Sequence, residues 1–380
     1  MALLVRKVAR RIFIVSNITV VVLFLLACCN SFLNPDKWWF ISVLGLAFPF
    51  LLFIVTAFFL FWLILRSRWA ILSLCVLILG YSNIRALIGF HFRNSFSETK
   101  PEGALRILTW NVAWFDEQNL ESKKNRESYR QPMLDFIKKQ QADVVCFQEY
   151  LESATLRKKA NNLRDITRLG YPYHYKVQDY GKTDGTQSIG VAIFSKYPIL
   201  DSVRIRYPGP ETMRAAESLI GIDINVQGKR VRIYTTHLQS VLLRKDDYRN
   251  LRIIKNADDS MLTASKSILK KLRTGYTFRG VQADMVRNEL DDCPYPEVVC
   301  GDFNDVPNSF TYFRIKGNRL DAFREKSSGI GRTFSHLSPT LRIDYVLADE
   351  QYEVLQYKRY VLPYSDHFPL VADLKLKSSE

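Results

Sequence analysis

The chain has 380 residues and six cysteines, which lack the paired spacing of a zinc site. Only three cysteines follow residue 100, and this odd number excludes a complete disulfide framework in that part of the chain. Of the net charge of +15, +8 lies in residues 1–100, which contain ten Lys and Arg and two Asp and Glu. The rest of the chain is therefore only mildly basic. This charge permits nucleic acid or phospholipid as a partner and requires neither.

Three uncharged, apolar runs fill the first hundred residues: Ile12–Cys28, Trp39–Leu65 and Trp69–Asn83. A helix needs about 20 residues to cross the hydrocarbon core, and the second run exceeds this length. The first run is shorter, and the third can span only if Arg85 lies near a membrane interface. We predict a transmembrane anchor of about three helices, at residues 12–28, 39–65 and 69–90, within residues 1–95.

Basic residues around these runs predict the orientation of the anchor. Four precede the first run, one separates the first two runs and two separate the second from the third. By the positive-inside rule the N-terminus is cytoplasmic, and three spans carry the rest of the chain to the non-cytoplasmic side, whereas two spans would reverse that result. In a bacterium this predicts an inner-membrane protein. An alternative for the N-terminal stretch is a lipoprotein signal cleaved before Cys28, which leaves the later topology unchanged.

Residues 96–103 are polar and contain a proline, and we interpret them as a linker. Residues 104–380 are long enough for one large catalytic domain. Helical patterns in this part alternate with short apolar runs, as expected for an α/β protein. The predicted helices are Glu127–Gln140, Leu156–Leu169 and Leu242–Leu272.

The longest basic stretch runs from Lys266 to Arg287. Ser265–Arg273 is amphipathic at helical spacing, and a further helix is predicted to follow Tyr276–Arg279 and to continue through Leu290. The favoured interpretation is a solvated helix face that covers a sheet. The alternative is a surface that tracks phosphates.

Four short runs rich in β-branched and aromatic residues predict strands: Leu105–Asn111, Asp143–Glu149, Val231–His237 and Glu297–Asp302. Each run ends in a polar residue. If such strands lie side by side in one sheet, their ends converge on one edge. A single polar cluster can then be built from residues that lie far apart in the chain.

Six polar motifs follow apolar runs, and they supply two kinds of group. Carboxylates and amides suit a hard divalent cation, and histidines suit proton transfer or oxyanion stabilisation. Together they indicate phosphoester hydrolysis. The motifs are Trp110-Asn111, Gln148-Glu149, Thr236-His237, Gly301-Asp302-Phe303-Asn304-Asp305, Arg342-Ile343-Asp344-Tyr345 and Ser365-Asp366-His367.

In this order the six motifs resemble those of the endonuclease/exonuclease/phosphatase superfamily, which includes pancreatic deoxyribonuclease, abasic-site endonucleases, bacterial sphingomyelinases and inositol polyphosphate 5-phosphatases. The resemblance runs from about Leu105 to Leu376. It implies a deoxyribonuclease I-like α/β fold, a four-layer α/β/β/α sandwich of two mixed sheets between helices, here preceded by transmembrane helices.

The resemblance also implies a metal site. Glu149 is the principal ligand, Asn111 is a second, and Asp366 helps directly or through water. Mg²⁺ suits so sparse a ligand set because it keeps several waters and accepts substrate phosphate oxygens, and Mn²⁺ is the alternative ion.

The catalytic residues implied by the same resemblance form a second set. Asp302 orients and deprotonates the attacking water, and Asn304 fixes the water or a phosphate oxygen. His237 and His367 donate hydrogen bonds to the non-bridging oxygens, where charge develops in the transition state. Asp344 holds one histidine, by family pattern His367, in the useful tautomer and favours its protonated form.

Some of these residues have simpler interpretations. Asn111 alone is typical of a cap on a strand-to-loop turn. Asp344 lies two positions from Arg342, so both side chains can lie on one side of a strand and form a structural ion pair. Gly301–Asp305 resembles a calcium loop but lacks its distal Glu and its preceding helix, so we set calcium aside. Gln187-Ser188 and Arg214 are candidates for a phosphate contact.

The sequence therefore predicts a membrane-anchored, Mg²⁺-dependent phosphoesterase, with a phosphodiesterase of nuclease type as the leading hypothesis. The alternative is a phosphoesterase for phospholipid head groups or sugar phosphates, sphingomyelinase-like or inositol phosphatase-like. A second alternative is a non-catalytic module that binds a phosphorylated ligand. The partners are then a phosphoester substrate, either nucleic acid or phospholipid, and the membrane.

Overall fold

Four apolar helices begin the chain. In the computed structural model, which describes residues 2–92, 96–117, 127–153, 161–181, 187–208, 216–241 and 261–377, they are α1 (Ala2–Cys29), α2 (Pro35–Ile64), α3 (Trp69–Leu79) and α4 (Tyr81–Leu87). Within the described residues α1 and α2 are long and apolar enough to cross a membrane, and α3 with α4, bent by 63°, would make a third span if the pair crosses as one. These helices cover the three predicted runs except for Leu65 and Gly80, and α4 ends at Leu87, three residues before the predicted end of the third helix.

Local chemistry explains where these helices begin and bend. Asn34 caps α2 by accepting the backbone N–H of Asp36 at 2.9 Å, and Pro35 occupies the first helical position, where its missing N–H costs nothing. Gly80 separates α3 from α4, and a Cβ there would lie 2.7 Å from the ring of Phe24. Glycine is therefore required for the close approach of α1 to the bend.

Two pairs of polar side chains inside this bundle form hydrogen bonds with each other. Ser73 donates to the side-chain oxygen of Asn17 at 3.1 Å, and Ser42 donates to that of Asn30 at 2.9 Å. All four side chains are buried. Such hydrogen bonds between apolar helices hold their relative rotation, because an alternative packing would leave the polar groups unpaired.

Two mixed β-sheets form the second part of the protein. Each sheet contains one pair of parallel neighbouring strands, and its other neighbouring strands are antiparallel. In spatial order the seven-stranded sheet contains β14 (Tyr352–Arg359), β15 (Leu370–Leu376), β2 (Leu105–Asn111), β3 (Val144–Ser153), β6 (Gln187–Ser195) and β4 (Tyr173–Lys176), with β5 (Tyr180–Gly181) paired to β6. The six-stranded sheet contains β11 (Leu320–Asp321), β13 (Asp344–Ala348), β10 (Glu297–Asp302), β9 (Lys229–His237), β8 (Glu217–Val226) and β7 (Ile199–Ile205), and β1 (Gly89–Phe90) pairs separately with β12 (Ser328–Gly329).

The two sheets pack face to face over one apolar core. Cys146 and Ile193 from one sheet and Ile222 and Cys300 from the other belong to a single buried cluster. Both cysteines are free and buried, where they pack as small apolar side chains. The predicted sandwich of two mixed sheets is therefore confirmed.

Helices cover the outer faces of the sandwich. The helix α5 (Arg130–Gln140) packs Met133 and Ile137 on the seven-stranded sheet, and its end agrees with the prediction. On the other side, Tyr234 donates to Glu289 at 2.8 Å. The remaining helices are α6 (Asn162–Arg168), α7 (Met261–Asp291), α8 (Phe310–Lys316) and α9 (Ala322–Lys326).

Two predicted helices differ from the observed ones. Part of Leu156–Leu169 and residues 242–260 lie outside the described residues. From Met261 onward the predicted break near Tyr276–Arg279 is wrong, because α7 continues unbroken to Asp291. Gly275 and Gly280 cost a helix only about 1 kcal/mol each, and burial of Tyr276 and Arg279 favours continuity.

The chain divides into two compact units by its internal contacts. The first consists of Met1–Ile88, Leu243–Val281 and Val306–Arg314. The second consists of Gly89–Leu242, Gln282–Asp305 and Ile315–Glu380, and it contains both sheets. The predicted linker and domain boundaries at residues 95 and 104 stay predictions.

Two buried ion pairs hold strands of the second unit together. Arg106 on β2 contacts Asp373 on β15 at 2.7 Å, and both side chains are almost completely buried. Arg342 contacts Asp321 at 2.8 Å and is equally buried. An ion-pair partner of Arg342 is therefore Asp321, whereas Asp344 contacts His367.

We expect Asp373→Asn to destabilise the protein by about 3 kcal/mol, because Arg106 would keep its buried charge without a counterion. Unfolding of the full chain in detergent would measure the change. Glu98→Gln is the control, since the pair of Glu98 with Lys358 is exposed and should contribute less than about 1 kcal/mol. Equal, small losses in both variants would contradict the assigned role of the buried pair.

Candidate active site

Four ionisable side chains form one row across the six-stranded sheet. In β-sheet register Glu217 pairs with His237, His237 with Asp302, and Asp302 with Asp344. All four are buried. Because strands β8, β9, β10 and β13 are neighbours, residues from four segments of the chain meet at one rim of the sheet. The sequence analysis expected the ends of neighbouring strands to converge on one edge in this way.

The seven-stranded sheet contributes Asn111 and Glu149 to the same rim. A register shift in β3 between Phe147 and Tyr150 forms a bulge, and Glu149 has a left-handed φ of 51° there. The preceding Gln148 turns inward and donates to Thr235 of the other sheet at 2.8 Å. Because of the bulge, Gln148 connects the two sheets while the next residue, Glu149, presents its carboxylate to the site.

The loop before β15 is tied to the end of β2. Ser365 donates its hydroxyl to the carbonyl of Asn111 at 2.8 Å and accepts the N–H of His367 at 3.1 Å. Trp110 donates its indole N–H to the carbonyl of His367 at 2.9 Å. These bonds explain why the first and last motifs act together, although more than 250 residues separate them.

Asp302 lies at the centre of the cluster. Its Oδ1 accepts the backbone N–H of Asn304 at 2.9 Å. Its Oδ2 accepts the side-chain N–H of Asn111 at 3.2 Å and lies 3.6 Å from the Nε2 atoms of both His237 and His367. Asn304 has a left-handed φ of 53° and donates its amide to the carbonyl of Leu238 at 3.0 Å, so both residues of this motif are fixed.

His367 is held by Asp344 in the arrangement that the motif predicted. Its Nδ1 lies 3.0 and 3.1 Å from the two carboxylate oxygens of Asp344. Burial lowers the pKa of His367, but Asp344 and Asp302 outweigh it and raise the pKa well above its ordinary value. Burial raises the pKa of Asp344 to about 6, although His367 partly offsets it, so the pair favours a protonated imidazole beside a carboxylate.

His237 has a carboxylate partner that the sequence analysis missed. Its Nδ1 lies 3.3 Å from Glu217 in an ion-pair contact without hydrogen-bond geometry. Burial lowers the pKa of His237, yet Glu217, Asp302 and Glu149 raise it to about 9. Glu217 also accepts the backbone N–H of Glu149 at 2.9 Å. The only signal in the sequence was an acidic residue at the start of an apolar strand.

Negative charge accumulates around Glu149. Burial raises the pKa of Glu149, and Glu217 and Asp366 raise it further, while His237 partly offsets them. Three carboxylates near one another favour a bound cation, which would relieve their repulsion. The donor set at Glu149 and Asp366 therefore fits a hard divalent metal ion.

Asn111 bridges carboxylates in this structure. Its amide N–H donates to Glu149 at 3.2 Å as well as to Asp302, and its oxygen accepts the N–H of Ala113 at 3.1 Å. A metal-ligand role would need the amide turned about its Cβ–Cγ bond, which gives up the bond from Ala113. Both the predicted turn-capping role and contact with the site are present.

A second group of ligand atoms occurs in the described part of the chain. One ligand atom from each of Asp302, Asp344 and His367 lies within 4.8 Å of the others. The Nδ1 atom of His367 is already engaged by Asp344, and Mg²⁺ prefers oxygen ligands. The raised pKa of His367 favours an imidazolium in this group, which offsets one of its two carboxylate charges.

An open cleft of about 730 Å³ leads to Glu149 and Asp366. Its wall carries Trp114, Tyr129 and Tyr364, and the two tyrosine rings lie 5.3 Å apart. His336 is exposed and also lines this cleft. The site is therefore open to a large substrate and bordered by aromatic rings.

The turn Ala113–Asp116 forms one wall of the cleft in an unusual conformation. All four residues have left-handed φ values, between 42° and 60°, at a cost of about 1 kcal/mol or more for each. Phe115 anchors the turn because it is buried 5.5 Å from the ring of Phe147. The turn holds the Trp114 side chain on the cleft wall, next to the metal-ligand candidates.

The predicted phosphate contacts are only partly described. Gln187 begins β6 and pairs with Ser153, and Ser188 pairs with Glu152. Arg214 lies outside the described residues. Neither candidate is therefore assigned a role.

Comparison with known families and structures agrees with this fold. Residues 108–367, more than half of the chain, match the model of the Endonuclease/Exonuclease/phosphatase family, and residues 10–87 match a family described only as a domain of unknown function. A comparison with curated proteins found no significant match.

Solved structures resemble the chain at low sequence identity. An endonuclease/exonuclease/phosphatase from Beutenbergia cavernae DSM 12333 has a TM-score of 0.51 and 20% identity over 72% of both chains. The human nocturnin catalytic domain with a bound sulfate anion has a TM-score of 0.50 and 18% identity, over 75% of this chain and 98% of that one. Humanized D. rerio TDP2 has a TM-score of 0.50 and 15% identity, over 72% of this chain and 100% of that one. These likenesses show the fold.

We expect the Glu217–His237 pair to make stability depend on pH. The folded pKa of His237, about 9, lies above the ordinary value, so the stabilisation is complete below about pH 6.5 and is lost as pH rises through 9. Glu217→Gln, which keeps an acceptor for the N–H of Glu149, should cost about 1–2 kcal/mol at pH 6 and much less at pH 10. Thermal unfolding in a chelator would measure this. A loss that does not change with pH would contradict the ion pair.

Proposed function

The chain belongs to the endonuclease/exonuclease/phosphatase family and is a phosphoester hydrolase, and we propose that it is a membrane-anchored, divalent-metal-dependent phosphodiesterase of nuclease type. One observation supports this activity most directly. A buried carboxylate, Asp302, lies between two histidines whose own partners, Glu217 and Asp344, favour their protonated forms.

The two histidines suit recognition of a phosphate in its transition state. Both Nε2 atoms face Asp302 at 3.6 Å, a distance too long for a hydrogen bond. Each N–H can therefore donate to a non-bridging phosphate oxygen, where negative charge develops. Because Asp344 and Glu217 hold the opposite ring nitrogens, this orientation exists before substrate binds.

Asp302 is suited to act as the general base. The Nε2 atoms of two histidines lie 3.6 Å from one of its oxygens, and the N–H of Asn304 fixes the other. A water oxygen forms the new bond to phosphorus while the bond to the leaving oxygen breaks in line. The proton of the water passes to the Asp302 carboxylate, so no covalent intermediate is needed.

Glu149, Asp366 and Asn111 would hold the divalent ion, Mg²⁺ or Mn²⁺. When bound, the ion would neutralise phosphate charge and polarise the phosphoryl oxygen as a Lewis acid. The raised pKa of Glu149, caused by burial and by nearby Glu217 and Asp366, supports a cation at this position. The row across the six-stranded sheet, which includes Asp302 and both partners of the histidines, would not bind the ion and would keep its acid-base roles.

The cleft favours a nucleic acid over the other substrates. Trp114, Tyr129 and Tyr364 lie beside the metal-ligand candidates, and aromatic rings next to a phosphate site suit the stacking of bases. The alternative substrate, a phospholipid head group or a sugar phosphate, is favoured by the apolar helices. A non-catalytic binding module is disfavoured because the complete set of base, histidines and carboxylates is present.

The helices α1 and α2, with the bent pair α3 and α4, would anchor the protein in a membrane. The basic residues before α1 favour a cytoplasmic N-terminus. A contact within the first unit supports three crossings: a Cβ on Gly280 of α7 would lie 2.7 Å from Asn34, in the connection between α1 and α2. The basic helix α7 and that connection then lie on the same, non-cytoplasmic side, which in a bacterium is the outer side of the inner membrane.

We expect Glu149→Gln to lower Mg²⁺-dependent hydrolysis of both plasmid DNA and bis(p-nitrophenyl) phosphate by about 10²-fold or more, because the principal ligand loses its charge. His367→Gln should lower kcat by about 10²–10³-fold. Glu152→Gln, three positions along the same strand, is the matched control and should keep activity. Turnover of the diester without DNA cleavage would favour the lipid or small-molecule substrate.

We expect a reporter enzyme that is active only outside the cytoplasm to be active when fused after Glu380. The same reporter fused after Arg66, between the second and third predicted spans, should be inactive. Inactivity of both fusions would mean that α3 and α4 do not cross, and the catalytic unit would then be cytoplasmic.

A further inference from the structure

The first half of α7 carries only positive charge. Between Met261 and Val281 there is no Asp or Glu, and five residues are Lys or Arg. Lys266, Lys270 and Arg273 are exposed and follow one another at spacings of four and three residues, so they lie on one face of the helix. Leu269 lies on the same face and is 40% exposed. We refer to these four residues as the basic stripe.

About two turns beyond Arg273, the same face of α7 is buried in the first unit, since Gly280 lies seven residues from Arg273. Tyr276 and Gly280 are buried, and Gly280 approaches Asn34 and Pro35 so closely that a Cβ would lie 2.9 Å from the Pro35 ring. On the opposite side of the helix Ile268 is buried. The guanidinium of Arg273 lies 5.7 Å from the ring centre of Trp39. The stripe is therefore held beside the first turn of α2.

That first turn has the composition of a membrane boundary. Trp38 and Phe40 are about half exposed, and Trp39 lies between them. From Trp39 to Ile64 the helix contains no charge. Tryptophan is enriched where a spanning helix passes from the hydrocarbon core to the head groups, so this turn lies at head-group level if α2 spans.

We propose that the basic stripe of α7 binds the phosphate head groups of anionic phospholipids in the leaflet where α2 begins. This rests on the membrane anchoring in the proposed function. Lys266, Lys270 and Arg273 contact the phosphates, and Leu269 packs at the boundary with the acyl chains.

Two features favour a bilayer over nucleic acid as the partner of the stripe. An exposed leucine lies among the basic residues, and exposed Trp38 and Phe40 extend the apolar surface next to them. A bilayer offers both phosphate and hydrocarbon at this spacing, whereas a nucleic acid backbone offers no apolar layer. The stripe thus makes the anchor selective for anionic lipid.

The test uses the full chain in a neutral detergent, with phosphatidylglycerol and phosphatidylcholine as probes and retained lipid counted by native mass spectrometry. Wild type should bind phosphatidylglycerol more tightly. The variant Lys266→Gln/Lys270→Gln/Arg273→Gln should weaken that binding by roughly 100-fold, since each cation near the surface contributes several-fold. Lys266→Arg/Lys270→Arg should retain it, and Lys138→Gln/Lys139→Gln/Lys375→Gln, which removes three exposed charges elsewhere, should leave it unchanged.

Three outcomes would overturn the proposal: equal binding of the two lipids by wild type, an unchanged preference in the stripe variant, or loss of single-stranded DNA binding in that variant with lipid preference retained.

Turnover of bis(p-nitrophenyl) phosphate is measured in the same samples and should not change in the stripe variant. Absence of turnover in wild type would contradict the proposed activity and leave the lipid result standing. Release of the protein from membranes by alkaline washing would contradict the anchoring.

Discussion

The burial of Asp302 between two histidines is the constraint on which the rest of the catalytic unit depends. A carboxylate that is almost inaccessible to water is costly unless cations surround it, and His237 and His367 provide them. Buried imidazolium groups in turn need anions, which Glu217 and Asp344 supply. The alternation of acid and base along one sheet row is therefore an electrostatic requirement, and it also produces two oriented N–H donors beside one base.

Much of this arrangement could be predicted from the sequence, for an identifiable reason. Polar residues at the ends of apolar runs are conspicuous, and strand ends in one sheet share an edge, so Asp302 and His237 were found from their own segments. The role of Asp344 was implied by the family resemblance of its motif. The register of these strands could not be predicted, because pairing across strands depends on tertiary packing. Glu217 was missed on that account: nothing near it in the sequence marks it as the partner of His237.

Backbone irregularities were also beyond the reach of sequence patterns. The bulge that turns Glu149 toward the cleft and the left-handed turn that holds Trp114 both violate local preferences. Arg342 has Asp321 as its ion-pair partner, which leaves Asp344 for His367. Each departure lies at or beside the site. The sequence pattern also divided α7 near Tyr276–Arg279, whereas burial of Tyr276 and Arg279 favours one continuous helix.

Two groups of carboxylates have separate proposed roles in the catalytic unit. Glu149 and Asp366 are proposed to hold the metal ion. Asp302 is proposed to accept the proton of the attacking water, and Asp344 is proposed to favour the protonated form of His367. The most direct test is the anomalous scattering of Mn²⁺ bound to crystals of the full chain. We predict a peak about 2.1 Å from a carboxylate oxygen of Glu149, on the side of Asp366. A peak among Asp302, Asp344 and His367 would make Asp302 a ligand and would contradict its role as the base.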